Sequence, residues 1–251
     1  MRSNRLREIW RAGKRASNFW MCLPGGLAAE IAAHQGWDSI LLDQQHGQIG
    51  YEAMCAMLTA ISTTDTVPLV RVVWNEPGDV MRALDAGAYG VMCPSVETAQ
   101  ECRRFVGACR YAPLGYRSVG PRRAMLYAGH DYVVHANDTL LSIVQIETAK
   151  GVDNLEEIAA VEGLDMLYIG PSDLGLSLGR AVTADQTDPV VVAAIDKVLA
   201  CAKRTGLQAG IFCKSVEYAR AMAQKGFDLV TVTSDEGLLM TGAAARAKFS
   251  A

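Results

Sequence analysis

One pattern, repeated eight times, constrains this chain more than any other. A short apolar run is followed by a longer amphipathic stretch, and many of these stretches close on glycine. The apolar runs fall at residues 19–23, 39–43, 68–72, 89–93, 141–146, 166–169, 209–213 and 228–232. Between them, "GYEAMCAMLTAIS", "EPGDVMRALDAG" and "DPVVVAAIDKVLACAKRTG" carry apolar residues at helical spacing. Gly36, Gly87, Gly206 and Gly226 each stand shortly before a strand, where a helix is expected to stop. Nearly continuous apolar strands alternating with helices mean a parallel sheet covered by helices. Eight such units favour the α/β class and closure into a (β/α)8 TIM barrel over an open doubly wound sheet. The first strand is not followed by a GxGxxG turn, which lowers the dinucleotide-binding reading further.

A chain of 251 residues suits one such barrel, so residues 1–251 read as a single domain. Half the residues are hydrophobic, enough for a sizeable core. A net charge of −3, with acids and bases dispersed, gives no support for binding nucleic acid or a membrane surface. The seven cysteines include no CxxC pair and read as small buried hydrophobes in a reducing compartment. The basic start "MRSNRLREIWRAGKR" lacks the apolar region of a secretory signal. No segment reaches the roughly 18 apolar residues that a bilayer span requires. The expectation is a soluble cytoplasmic protein. Residues 111–140 are too long for an ordinary connection and read as a lid or binding loop with a short helix near 131–136.

In a barrel of this kind the chemistry sits at the C-terminal ends of the strands. The stretch "LLDQQHGQ" makes the point: an apolar strand stops abruptly at Asp43, Gln44, Gln45 and His46. Strand three ends in Arg71, strand five in Gln145 and Glu147, and strand six in "GPSD" with Ser172 and Asp173. Asp85 lies near the end of the helix after strand three. Glu147 and Asp173, on neighbouring strand ends, read as a hard-oxygen site for Mg²⁺ or Mn²⁺, or else as two helix caps. His46 is the candidate general base, with Asp43 or Asp85 available to raise its basicity. His34, His130 and His135 read as surface residues. Arg71 needs an anionic partner, which is either an acid such as Asp43 or Glu147 or a substrate. A metal pair, a base and an arginine together describe the stabilisation of an enolate drawn from an α-keto acid.

Six stretches carry a resemblance: "LLDQQHG", "VPLVRVVWNEP", "LDAGAYGVMCPSV", "CRYAPLGYRSVG", "IVQIET" and "YIGPSDLGLSLG", within about residues 24–235. In this order they resemble the class II, metal-dependent pyruvate aldolases of the 4-hydroxy-2-oxoheptane-1,7-dioate aldolase type, in the citrate lyase/phosphoenolpyruvate-binding barrel superfamily. The resemblance implies reversible aldol cleavage of 4-hydroxy-2-oxo acids to pyruvate, or hydroxypyruvate, and an aldehyde. It implies His46 as the proton-transfer base, Asp85 as the acid that raises its basicity, and Arg71 as the enolate stabiliser. Glu147 and Asp173 would hold the divalent metal, Mg²⁺, Mn²⁺ or Co²⁺. Gln145 and Ser172, through its backbone amide, would contact the keto acid beside Arg71 and Asp173. A homohexamer is also implied, with "DEGLLMTGAAARAKF" packed on a neighbouring subunit.

Two positions depart from that family pattern. Gln45 stands where the family usually has a glutamate before the histidine, so an altered metal affinity or pH dependence is expected. Phe212 stands where a smaller aliphatic residue is common near the aldehyde pocket, and it either reshapes the acceptor site or packs the core. Arg117, Arg122 and Arg123 could meet a second carboxylate on the acceptor, or face solvent or another subunit. The rival readings are a Schiff-base aldolase, for which Lys214 is the best-placed lysine, and a thioester-forming lyase of the citrate-lyase branch. A keto-acid-binding barrel without turnover is the reading outside enzymes.

Overall fold

The computed structural model describes residues 1–249. Eight parallel strands close into a barrel in sequence order: β1 Ala16–Met21, β2 Ser39–Asp43, β3 Val67–Arg71, β4 Gly90–Cys93, β5 Leu141–Ile146, β6 Met166–Ile169, β7 Gln208–Phe212 and β8 Leu229–Ser234. Every expected strand is present. The largest differences lie at the closing seam, where β1 begins earlier and β8 runs further than the apolar runs suggested. There the β1–β8 register shifts between Asn18 and Phe19, and the added residues, Ala16–Asn18 and Thr233–Ser234, are mostly small or polar. Gly36, Gly87, Gly206 and Gly226 all have positive φ, as helix-ending glycines require.

Pairing register explains what fills the barrel. Side chains alternate along a strand, so residues two apart share the inward face. Asn18 and Trp20 of β1 do so, as do Ser39, Leu41 and Asp43 of β2. The lower interior layer is polar and self-satisfied: Asn18 donates to Thr231 Oγ1 at 2.8 Å and accepts from Ser39 Oγ at 2.9 Å. The Tyr168 hydroxyl lies 2.6 Å from the same threonine oxygen. Above it, Asp43 and Arg71 are direct partners in the β2–β3 register, which sets an acid beside a base at the mouth.

Two features were not legible beforehand. The basic N-terminal stretch forms a helix, Arg5–Arg11, capped by the Asn4 side chain. It covers the opposite end of the barrel: Leu6 is fully buried, Trp10 Nε1 donates to the Asp228 carbonyl, and Arg7 pairs with Asp165. The charges at i and i+4 had masked a helix whose stability comes from docking. The long segment forms two helices, Arg122–Ala128 and Tyr132–Thr139, where one was expected. It contributes no residue to the lining of the cleft at the strand ends. Its polar groups are committed to the barrel's flank instead, with Arg117 on Asp85 and Arg123 Nη1 on the Ala86 carbonyl.

Candidate active site

At the C-terminal end of the strands a cleft of about 260 Å³ opens among Trp20, Cys22, Asp43, His46, Arg71 and Gln145, the turn Gly170–Asp173, and Phe212, Ser234 and Glu236. Seven of the sequence-derived residues therefore meet in one place: Asp43, His46, Arg71, Gln145, Ser172, Asp173 and Phe212. Glu147 lies just beneath them and is 3% exposed.

Arg71 is held from several sides. Its Nε and Nη2 donate to the two oxygens of Asp43 at 2.9 and 2.6 Å, and Nη1 donates to Gln145 Oε1 at 3.3 Å. The guanidinium carbon lies 4.8 Å from the centre of the Trp20 ring. Such a two-pronged pair fixes the plane of the arginine. Burial alone would raise the Asp43 carboxyl. The Arg71 pair and the amides of Gln45 and His46 outweigh that and hold it below its usual range. Asp43 thus orders the backbone beneath His46, and the next residue is tightly confined: a Cβ on Gly47 would collide with the carbonyls of Asp43 and Cys22. The turn that presents His46 is pressed against the end of β1, and only glycine fits there.

Glu147 and Asp173 are not helix caps. Thr148 caps the helix after β5, and Gly170 occupies the cap position before Pro171–Ser177. Glu147 Oε1 accepts from the Ser95 amide at 2.9 Å and its hydroxyl at 2.8 Å. Ser95 has φ 50°, a left-handed conformation that costs a serine energy and turns both donors onto one oxygen. Glu147 Oε2 is buried with no hydrogen-bond partner. Desolvation pushes this carboxyl up, Ser95 opposes it, and the nearby negative charge of Asp173 adds to it. A buried, half-satisfied carboxylate near a second negative charge fits the donor chemistry of a hard divalent cation. Among the described residues no group of three or more His, Cys, Asp and Glu side chains could hold a metal. A two-carboxylate site, leaving further positions to substrate and water, suits Mg²⁺ or Mn²⁺.

Gly170 supplies a test of that site. Its φ of −96° is open to any residue, but a Cβ there would overlap Glu147 Oε2 and stand 2.8 Å from Gln145 Nε2. Gly170→Ala is expected to weaken Mn²⁺ binding by about tenfold or more, or about 1.4 kcal/mol, in isothermal titration calorimetry. Its circular dichroism should stay that of the parent.

Asp85 stands apart from this group. Its carboxylate accepts from Arg117 Nη2 at 2.6 Å and does not line the cleft, so within one chain it is not the partner of His46. Lys214 is exposed, outside the cleft, with its amide on Asp185; among the described residues no lysine lines the cleft, which leaves a Schiff-base mechanism without its amine. Sequence reasoning missed Trp20, Cys22, Ser234 and Glu236. Reading the ends of β1 and β8 by the rule applied to the other strands finds all four. Burial and the charges of Asp43, Asp235 and Glu236 push the Cys22 thiol up to about 12, so it stays a neutral thiol.

Residues 17–241 match the family model described as HpcH/HpaI aldolase/citrate lyase. The chain belongs to the HpcH/HpaI aldolase/citrate lyase family. It is 41% identical over 243 residues to the hydroxypyruvate/pyruvate aldolase of Rhizorhabdus wittichii, covering 97% of this chain and 96% of that one. It is 34% identical over 247 residues to the 4-hydroxy-2-oxo-heptane-1,7-dioate aldolase of Salmonella dublin, covering 97% and 93%. A family structure from Burkholderia cenocepacia J2315 superposes with a TM-score of 0.91 at 34% identity, covering 99% of each chain. Aldolase relatives over almost the whole length make this chain an enzyme of the lyase class, as the strand-end constellation and the six motifs led one to expect.

Proposed function

We propose that this aldolase cleaves and forms 4-hydroxy-2-oxo acids, with pyruvate or hydroxypyruvate as one half and an aldehyde as the other. The named activities of its relatives support the reaction class. The observation that carries the site assignment is Glu147 Oε2, a buried carboxylate oxygen with no partner, beside the charge of Asp173. Glu147 and Asp173 would hold a divalent cation, Mg²⁺, Mn²⁺ or Co²⁺, which as a Lewis acid would draw electron density from the keto acid's 2-oxo group. Arg71, locked by Asp43, turns Nη1 toward Gln145 and offers a fixed positive charge to the enolate oxygen as it develops. The Ser172 amide, in the first turn of its helix, has no acceptor within that helix and is free to meet the keto acid's carboxylate.

In the cleavage direction His46 takes the proton from the C4 hydroxyl. The alkoxide electrons form the aldehyde carbonyl, the C3–C4 bond breaks, and its electron pair passes to the C2–C3 enolate. After the aldehyde leaves, a proton returned to C3 gives pyruvate. Phe212 lies edge-on to Trp20, with ring centroids 5.3 Å apart, and forms an apolar wall for the aldehyde.

A homo-oligomer, hexameric by family resemblance, is part of the same proposal. The helix Asp235–Ala243 buries no residue in this chain and exposes Leu238, Leu239 and Met240. Asp85, whose side chain is 31% exposed, would then be available to a neighbouring subunit's His46. We take residues 1–251 as one functional domain. The proposed compartment is the cytoplasm: all seven cysteines are free, and no helix among the described residues is long and apolar enough to cross a membrane.

The decisive experiment follows exchange of the C3 protons of pyruvate into deuterated water by NMR, with no aldehyde present. Exchange should vanish with EDTA, return with Mg²⁺, Mn²⁺ or Co²⁺, and fall by about 10²–10⁴-fold in His46→Ala, the usual span for loss of a general base. Metal-dependent pyruvate binding with no exchange, even with an aldehyde added, would leave a silent binding barrel in place of an enzyme.

A further inference from the structure

The cleft divides by strand. Gln145, Glu147, Ser172 and Asp173 come from β5, β6 and the turns that follow, and Arg71 reaches across from β3 to Gln145. Asp43 and His46 line it at the end of β2, and the other side of the mouth is formed by Trp20 and Cys22 at β1, Phe212 at β7, and Ser234 with Glu236 at the end of β8. If the keto acid occupies the first side, the aldehyde faces the second.

The charges around the cleft are unevenly placed. Arg71 is held on the keto-acid side by its two-pronged pair with Asp43 and its contact with Gln145, and among the described residues it is the only arginine lining the cleft. Arg117 and Arg123 are spent on Asp85 and the Ala86 carbonyl, outside the cleft. Glu236, by contrast, lines the cleft with its carboxylate in no hydrogen bond or ion pair among the described residues, while its amide donates to Asp235 Oδ1. Asp235 itself is clamped to the β1 end, its two oxygens accepting from the Cys22 and Leu23 amides at 2.9 and 3.0 Å. That clamp fixes the start of the helix Asp235–Ala243 and therefore where Glu236 stands.

Resting on the aldolase reading above, we propose that Glu236 is a specificity-determining residue on the acceptor side of the cleft, disfavouring aldehydes that carry an anionic group and favouring neutral, hydroxylated ones. A carboxylate-bearing acceptor would meet an unpaired negative charge and, among the described residues, no lysine or arginine on that side of the cleft. A hydroxyaldehyde can donate its hydroxyl to the same carboxylate. Because Glu236 is exposed, the discrimination is modest and screened by salt.

The test compares kcat/KM for glyoxylate and for glycolaldehyde, with pyruvate as donor, in the parent, Glu236→Gln and Glu236→Arg. Taking the change in the glyoxylate-to-glycolaldehyde ratio cancels the different intrinsic reactivity of the two aldehydes. The ratio should rise by about three- to tenfold in Glu236→Gln, the scale of one screened like-charge contact, and further in Glu236→Arg. In the parent it should also rise between low and high salt, a dependence that Glu236→Gln should lose. An acid serving only to stabilise the first turn of its helix would shift the thermal midpoint and leave the ratio alone. A ratio unmoved by both substitutions, or a parent ratio indifferent to salt, overturns the inference. Metal-dependent C3 exchange in the parent needs no acceptor: its presence beside an unmoved ratio removes the Glu236 inference alone, and its absence removes the aldolase reading and the inference with it.

Discussion

Glu147→Gln should lower metal-dependent C3 proton exchange of pyruvate by about 10²–10³-fold, the usual cost of deleting one fixed electrostatic stabiliser, while leaving the metal-free protein at least as stable as the parent. The two halves of this expectation have one cause. Glu147 is 3% exposed, its Oε1 is satisfied by Ser95, and its Oε2 has no partner. Without a cation, the charge on that oxygen is a cost of folding, because burial disfavours it and Asp173 repels it. Glutamine keeps the shape, retains an oxygen for Ser95 and removes the charge. Function should collapse while thermal unfolding improves or holds. Added Mn²⁺ should raise the melting temperature of the parent and not of the variant, since only a state that binds the ion gains by mass action. Asp173→Asn, at an exposed position, should lose exchange similarly with little change in stability. A parent whose melting temperature ignores Mg²⁺, Mn²⁺ and Co²⁺ would contradict this account of the site.

That pairing of lost activity with retained stability also marks where sequence was informative. The eight strands were legible because each is a short apolar run, four of them preceded by a helix-ending glycine, and burial of both faces leaves little ambiguity. Polar residues at strand ends were equally legible, since Asp43 and Gln145 stand at the ends of otherwise apolar, fully buried strands and Glu147 follows directly on one. What the pattern could not convey was partnership. Arg71 had two acids within plausible reach, and only the β2–β3 register, which sets it level with Asp43, selects between them. Asp85 was assigned toward His46 by resemblance, yet within this chain it holds Arg117, thirty-two residues later in a segment whose path no periodicity reveals. The N-terminal helix was obscured for a related reason: its basic surface dominates the sequence, whereas Leu6 and Trp10, which anchor it, are two apolar residues among charges.

Breaking the Asp43–Arg71 pair should have the largest effect on stability. Asp43→Asn leaves a guanidinium that is 6% exposed without its anion, and removing one member of a buried pair costs about 3–5 kcal/mol. For a chain of this length that is a fall of roughly 6–20 °C in the melting temperature at neutral pH. The pH dependence has a definite sign. Asp43 is held below the ordinary carboxylate value of 3.8, so folding favours its charged form. Its stabilising contribution is complete above that value and is lost as pH falls through the still lower value of the folded state. The gap in melting temperature between parent and Asp43→Asn should therefore be full at pH 6 and shrink once the pH drops below about 4, where Asp43 of the unfolded chain begins to protonate, closing as the folded state's aspartate follows. Exchange of pyruvate protons should fall in the variant at every pH, because Arg71 loses the two bonds that set its plane and keeps only Gln145 and the Trp20 face. Replacing both partners separates the two roles. Asp43→Leu combined with Arg71→Met removes the stranded charge and should recover much of the lost stability, as apolar replacements of buried pairs commonly do, yet restore none of the activity. If the double variant regained catalysis along with stability, the pair would be scaffolding, and the positive charge stabilising the enolate would have to come from elsewhere in the cleft.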